Sequence, residues 1–254
     1  MIILLSPAKT LDLATPVAET PSEPRFAADA ARLARAAAKL TPADLSALMH
    51  ISPALAELNA TRFKGFAKAD PRPAIRTFAG DVYRGFDAGS AEPAVLDYAQ
   101  DHLRILSGLY GVLRPLDAMR PYRLEMGTAW APKGGKLVDH WGKKVARALL
   151  ADLADLAEEG SGTILNLASR EYFAVAGPFL PKKVRLIAPD FRVRTPKGLQ
   201  FQSFTAKVAR GALARFVCDE RIADPAALAA FDRDGWRFDA DGSTPHVPLF
   251  VRSE

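Results

Sequence analysis

The sequence predicts a mixed α/β fold, and three observations carry that prediction. Two short apolar runs, residues 2–5 and 163–167, have the length and composition of interior strands. Between them lie long stretches with apolar residues at steps of three and four, the spacing of helices with one buried stripe. Three more strand-like segments crowd into residues 184–204. Both apolar runs end on small polar residues, Ser6-Pro7 and Ala168-Ser169, and open α/β sheets bind ligands at such strand ends.

Taken in order, the first strand stops at Ser6-Pro7, and Lys9 stands just past its carboxyl end. Residues 11–24 are rich in Pro, Thr and Glu and read as an irregular surface loop. An alanine-rich helix follows over 26–39, and Thr41-Pro42 and Ser52-Pro53 each offer an N-cap with proline in the first helical position. After Pro71 and Pro73 the spacing suggests a strand over 74–78, then a turn at Gly80-Asp81 leading into Val82-Tyr83. Residues 122–126 alternate as a strand does, with Arg123 and Glu125 on one face. A helix is predicted over 137–156, with a stop at 158–162. The strand at 163–167 leads to Ser169, which can cap a helix beginning at Arg170-Glu171. Strands at 184–187, 191–194 and 199–204 follow, the last two forming a hairpin, then a helix over 205–222 and two short terminal strands.

Composition narrows the class. The chain has 254 residues, 49% apolar and 25% charged, proportions of an ordinary globular protein, and we read 1–254 as one domain. One cysteine, Cys218, excludes an internal disulfide and any multi-cysteine metal site, and its place after Phe216-Val217 suits a buried, inert thiol. His50, His102, His140 and His246 form no close pair, so neither a metal nor a cofactor is expected. The start lacks the basic flank of a signal peptide and no apolar run reaches membrane length, which implies a soluble cytoplasmic protein without a membrane partner. No GxSxG, P-loop or GxGxxG is present, so catalytic residues stay unassigned and enzymatic activity stays open. Net charge is +5, and it is uneven: residues 101–150 carry 9 basic against 4 acidic side chains, and 181–216 carry 9 against 1. If those blocks meet in space they form a surface suited to polyanions.

The most informative stretch is 102–127. Leu96, Ala99, Leu103, Leu106, Tyr110 and Leu113 recur at helical steps, predicting a helix that Gly108 and Gly111 interrupt before Pro115. Arg104, Ser107 and Gly111 share a second face, with Arg114 close by. Glycine-exposed N–H groups flanked by arginines would suit a phosphate, and a core helix ending in a glycine cap fits the spacing equally well.

Five blocks carry a family resemblance: Ser6 to Thr10, Phe78 to Tyr83, Leu103 to Gly127, Asn166 to Phe173, and Ala209 to Gly211. In this order, over nearly the whole chain, they resemble the YaaA family of bacterial peroxide-stress proteins. The resemblance implies a central mixed sheet surrounded by helices, a positively charged cleft, a helix–hairpin–helix element, a link to intracellular iron, and binding of DNA. The hairpin element would map onto Gly108–Gly111, with two residues between the glycines where the common hairpin has one.

Two functions follow as expectations. The first is a protein that limits iron-dependent peroxide damage and binds double-stranded or distorted DNA with little sequence preference. Its contacts would be Lys9, Arg104, Ser107, Gly108, Gly111, Arg114, Arg123, Lys207 and Arg210, and phosphate contacts of this kind hold without reading bases. The second is an enzyme for a small anionic or nucleotide-like substrate. Its pocket would draw on Ser6, Asp81, Tyr83, Tyr122, Glu125, Asn166, Ser169, Glu171 and Tyr172, with Asp81 or Glu171 as acid–base group.

Overall fold

A computed structural model describes residues 1–156 and 162–253, and the predicted helix stop at 158–162 lies almost wholly outside them. The mixed α/β class holds. A five-stranded sheet is built from β1 (Ile2–Leu5), β5 (Leu103–Ser107), β6 (Gly111–Leu113), β8 (Thr163–Asn166) and β9 (Arg185–Ile187), in the order β6-β5-β1-β8-β9. The three strand contacts from β5 to β9 are parallel, and β6 runs antiparallel at one edge. Every residue of β1 is buried, as expected of a central parallel strand covered on both faces.

Helices cover this sheet. The predicted caps at the start of α2 (Pro42–Met49) and α3 (Pro53–Lys64) are present, and Thr41 and Asp44 form a reciprocal capping box. A second sheet joins β10 (Asp190–Thr195), β11 (Gly198–Gln200), β12 (Arg237–Thr244) and β13 (Val247–Ser253), in the order β11-β10-β13-β12. Phe191, Phe231, Trp236 and Phe250 pack ring against ring on it. One continuous cluster of buried side chains runs through both sheets, and it includes Met1, Met49, Met119, Met126 and Cys218.

Four predicted elements come out differently, each for a physical reason. The helix expected over 96–113 ends early: α6 (Pro93–His102) passes directly into β5, and Gly108 and Gly111 frame the β5–β6 hairpin. A strand buried on every residue reads as a continuous apolar run, which periodicity cannot separate from a helix. The helix–hairpin–helix expectation for this stretch falls with it. Gly111 adopts φ +70° against the Trp141 ring, and a side chain on Gly108 would strike the Leu124 carbonyl.

Residues 122–126 form no strand. Tyr122, Leu124 and Met126 are buried in alternation because the extended segment crosses the hairpin with one face inward. The strand expected over 74–78 is a helical turn, α4 (Ala74–Thr77), where the Thr77 hydroxyl donates to the Pro73 carbonyl at 2.8 Å. The long helix at 137–156 breaks into α7 (Leu137–Trp141) and α8 (Lys143–Asp155) at Gly142, whose φ is +43°.

Two further helices matter for the site. The backbones of α5 (Asp81–Phe86) and α10 (Ser203–Asp219) touch at a glycine crossing. A Cβ on Gly85 would collide with the Val208 carbonyl, and one on Gly211 with the Val82 carbonyl.

Candidate functional site

The two small polar junctions are neighbours. β1 and β8 lie side by side and parallel, with Leu4 opposite Asn166. From this pair the sheet runs outward to β5 on one side and β9 on the other, so the crevice outside their carboxyl ends is a topological switch point. The junctions are also bonded to each other: Ser6 Oγ accepts from the Ser169 N–H at 2.8 Å. Ser169 caps α9 (Arg170–Phe173), its Oγ accepting from the Tyr172 N–H at 3.4 Å. Past Lys9, β2 (Thr10–Leu11) pairs with β4 (Phe78–Ala79), which carries Gly80 and Asp81 to the same rim. Tyr83 donates its hydroxyl proton to the Ser6 carbonyl at 3.0 Å. The glycine crossing then lays Lys207 and Arg210 of α10 along the remaining wall.

These segments enclose a cavity of about 380 Å³. Of the residues predicted from sequence, Ser6, Lys9, Asp81, Tyr83, Ser169, Glu171, Tyr172, Lys207 and Arg210 line it. Asn166 stands at the end of β8, where its Oδ1 accepts from the Ala168 N–H at 3.1 Å.

Charge is arranged unevenly around the cavity. Arg210 is half-buried, and among the described residues it makes no hydrogen bond and no ion pair. Burial pulls its pKa below the ordinary guanidinium value, opposed by the charge of Asp190. Lys207 is exposed one helical turn earlier. Lys9 reaches Glu125 at 3.4 Å with 67% of its side chain exposed. Of the acidic residues in the lining, Glu171 accepts from the Gly127 N–H at 3.2 Å, and Asp81 lies 4.0 Å from Arg84.

Behind the cavity sits a buried polar layer. Glu125 Oε1 receives Lys9 and also Arg123, whose Nη2 lies at 3.0 Å, while Oε2 is buried with no hydrogen-bond partner among the described residues. Tyr122 and Ser107 share a hydrogen bond of 2.6 Å between their hydroxyls. Burial pushes the phenols of Tyr83, Tyr122 and Tyr172 well above the ordinary tyrosine value; neighbouring phenols add to it at all three, and carboxylates add to it at Tyr122 and Tyr172. They are therefore neutral hydrogen-bonding groups, not bases.

The remaining predicted contacts lie elsewhere. Arg104 is buried within β5, its Nε donating to Asp152 at 2.7 Å and its Nη1 to the carbonyls of Gln100 and Leu103. Arg114 pairs with Asp117 at 3.3 Å. Both line a separate hollow with Arg25 and Asp152. Ser107, Gly108 and Gly111 are buried in the hairpin, so none of them presents an N–H to solvent there. Arg104 and Arg114 of the first basic block thus do not join the cavity, and Arg123 lies behind it, held by the Glu125 that also receives Lys9; the cations lining the cavity are Lys9 and, from α10, Lys207 and Arg210. Sequence reasoning missed Gly85, whose signal was a glycine inside a helical run facing the already noted Gly211. It also missed Arg25, which reaches the Asp152 carboxylate from the loop and donates to the Ala148 carbonyl at 3.0 Å.

Fold and site together define an α/β protein with a cavity of mixed charge at the switch point of a mostly parallel sheet. A family model described as peroxide stress protein YaaA matches residues 1–242. A UPF0246 protein of Rhizorhabdus wittichii is 50% identical over 255 residues, covering 100% of both chains. UPF0246 proteins of Ruegeria pomeroyi and Cupriavidus pinatubonensis are 46% and 48% identical, each covering 99% of this chain and 98% of its own. The chain belongs to the YaaA family of peroxide stress proteins.

Proposed function

We propose that this peroxide-stress protein works by binding a small anionic ligand in the cavity at the ends of β1 and β8. One observation carries the reading: Arg210 is partly desolvated in that cavity and makes no hydrogen bond and no ion pair of 4.0 Å or less among the described residues, the charge of Asp190 acting on it only from farther away. A guanidinium removed from water without a partner is costly, and an arriving anion supplies the missing charge-assisted bonds. Glu171 and Asp81 are placed to exchange a proton with such a ligand, so the same cavity can serve an enzyme. The test is a thermal-shift screen of phosphorylated and carboxylated metabolites against the purified chain. A saturable rise in Tm with a small anion, lost in Arg210→Gln, is expected; no shift with any small anion would sink the reading.

A second reading is binding of DNA, with little sequence preference, and it is favoured by the exposed Lys9 and Lys207 at the mouth of the same cavity. Phosphate contacts of this sort weaken steeply with salt. Charge reversal of Arg210 or Lys207 should then weaken duplex binding for every sequence tested at low salt. Unchanged anisotropy titrations would remove DNA and leave the small ligand. In both readings iron-dependent damage is limited indirectly, in a soluble, cytoplasmic setting. Stoichiometric retention of ferrous iron by the purified protein would overturn that indirect route.

A further inference from the structure

The cavity holds charges of both signs that do not pair with each other. Lys207, Arg210, Glu171 and Asp81 all line it, and no ion pair of 4.0 Å or less joins the basic pair to the acidic pair among the described residues. Ala8, Gly80 and Leu167 also line the cavity, and they offer carbon surface and backbone but no charge. Its volume of about 380 Å³ exceeds what a bare inorganic anion fills and falls within the range of small-molecule sites.

The two ends make different demands. Arg210 is the desolvated member and needs a full negative charge, and a lysine one turn away on the same helix suits a dianion. Glu171 and Asp81 remain in contact with water, so their charges are already solvated, and hydrogen-bond donors satisfy them. Neutral hydroxyls on a carbon frame are such donors. Lys9 does not enter this count, because Glu125 takes its charge.

Resting on the small-anion reading above, we propose that the ligand is a hydroxyl-bearing phosphate monoester, a sugar phosphate or a nucleoside monophosphate. Its phosphate lies against Arg210 and Lys207, and its hydroxyls lie against Glu171 and Asp81.

Isothermal titration of the full chain tests this with ribose 5-phosphate, adenosine 5′-monophosphate, adenosine, inorganic phosphate, citrate and glutamate. Saturable binding is expected for one or both phosphate esters, and weaker or no binding for adenosine and inorganic phosphate, each of which satisfies only one end. A preference for the nucleotide over ribose 5-phosphate would identify the base as part of the ligand. Arg210→Gln should raise Kd for the esters by about ten- to a hundredfold, the worth of a charge-assisted contact. Glu171→Gln should narrow the difference between ribose 5-phosphate and inorganic phosphate. Lys207→Ala, at an exposed position, gives the same test of the phosphate end should the Arg210 variant fail to fold. Binding of citrate or glutamate in preference to both esters would overturn the ligand class and leave the anion pocket standing. Binding of none of the six would overturn both.

Discussion

Arg104 enters the core already neutralised, its guanidinium held by Asp152 and by two backbone carbonyls, while Arg210 lines a cavity with no hydrogen bond or ion pair among the described residues. The sequence shows both as basic residues in basic blocks, and nothing local separates them. The difference is made by Asp152, an acidic residue on the buried stripe of α8, which reaches Arg104 from a helix 48 positions away. Removing one partner of a buried ion pair is expensive because the other charge stays behind. Asp152→Ala should therefore cost about 3–5 kcal/mol in denaturant unfolding. Burial alone would raise the Asp152 pKa, but the bonds from Arg104 and Arg25 outweigh it and hold the carboxyl below its ordinary 3.8. A depressed carboxyl pKa contributes stability that is full above the unfolded value and disappears as pH falls through the folded one. The wild-type protein should thus lose this contribution below about pH 4, and Asp152→Asn should flatten that part of the stability profile.

Among the elements, the crossing of α5 and α10 sets the site. The two helices approach until backbone meets backbone at Gly85 and Gly211, and Arg210, next to one of those glycines, is thereby brought over the ends of β1 and β8. Gly211→Ala should cost about 3 kcal/mol by overpacking, and it should also weaken anion binding by displacing the Arg210 wall. A variant that keeps full stability and full affinity would show the crossing to be tolerant and this account of the wall wrong. Local chemistry was readable where it is local: the caps at Thr41, Ser52 and Ser169 are where Ser-x or Thr-Pro pairs placed them. Elements defined by distant partners were not. β5 owes its extended form to β1 and β6 on either side, and no pattern within residues 103–107 records those neighbours. The same holds for 122–126, whose alternation reflects burial against the hairpin without any strand beside it.

Over the whole molecule, the class of fold and most of the cavity lining were legible because both interior strands end in small polar residues, and the sheet sets them side by side. The spread of basic blocks was a poorer guide, since charge counts along a chain say nothing of which side chains are neutralised in the core. The burial of every sulfur has a bearing on the setting in which this family acts. The thiol of Cys218 is pushed far above its ordinary pKa by its surroundings, which removes the thiolate that oxidants attack. The thioethers of Met1, Met49, Met119 and Met126 are each at most 8% exposed. Hydrogen peroxide applied to the folded chain should leave its peptide masses unchanged, whereas the same treatment in denaturant should add oxygen at all five positions. A chain whose five sulfurs are all shut away in its interior should keep its fold under peroxide while proteins with exposed thiols and thioethers are being damaged.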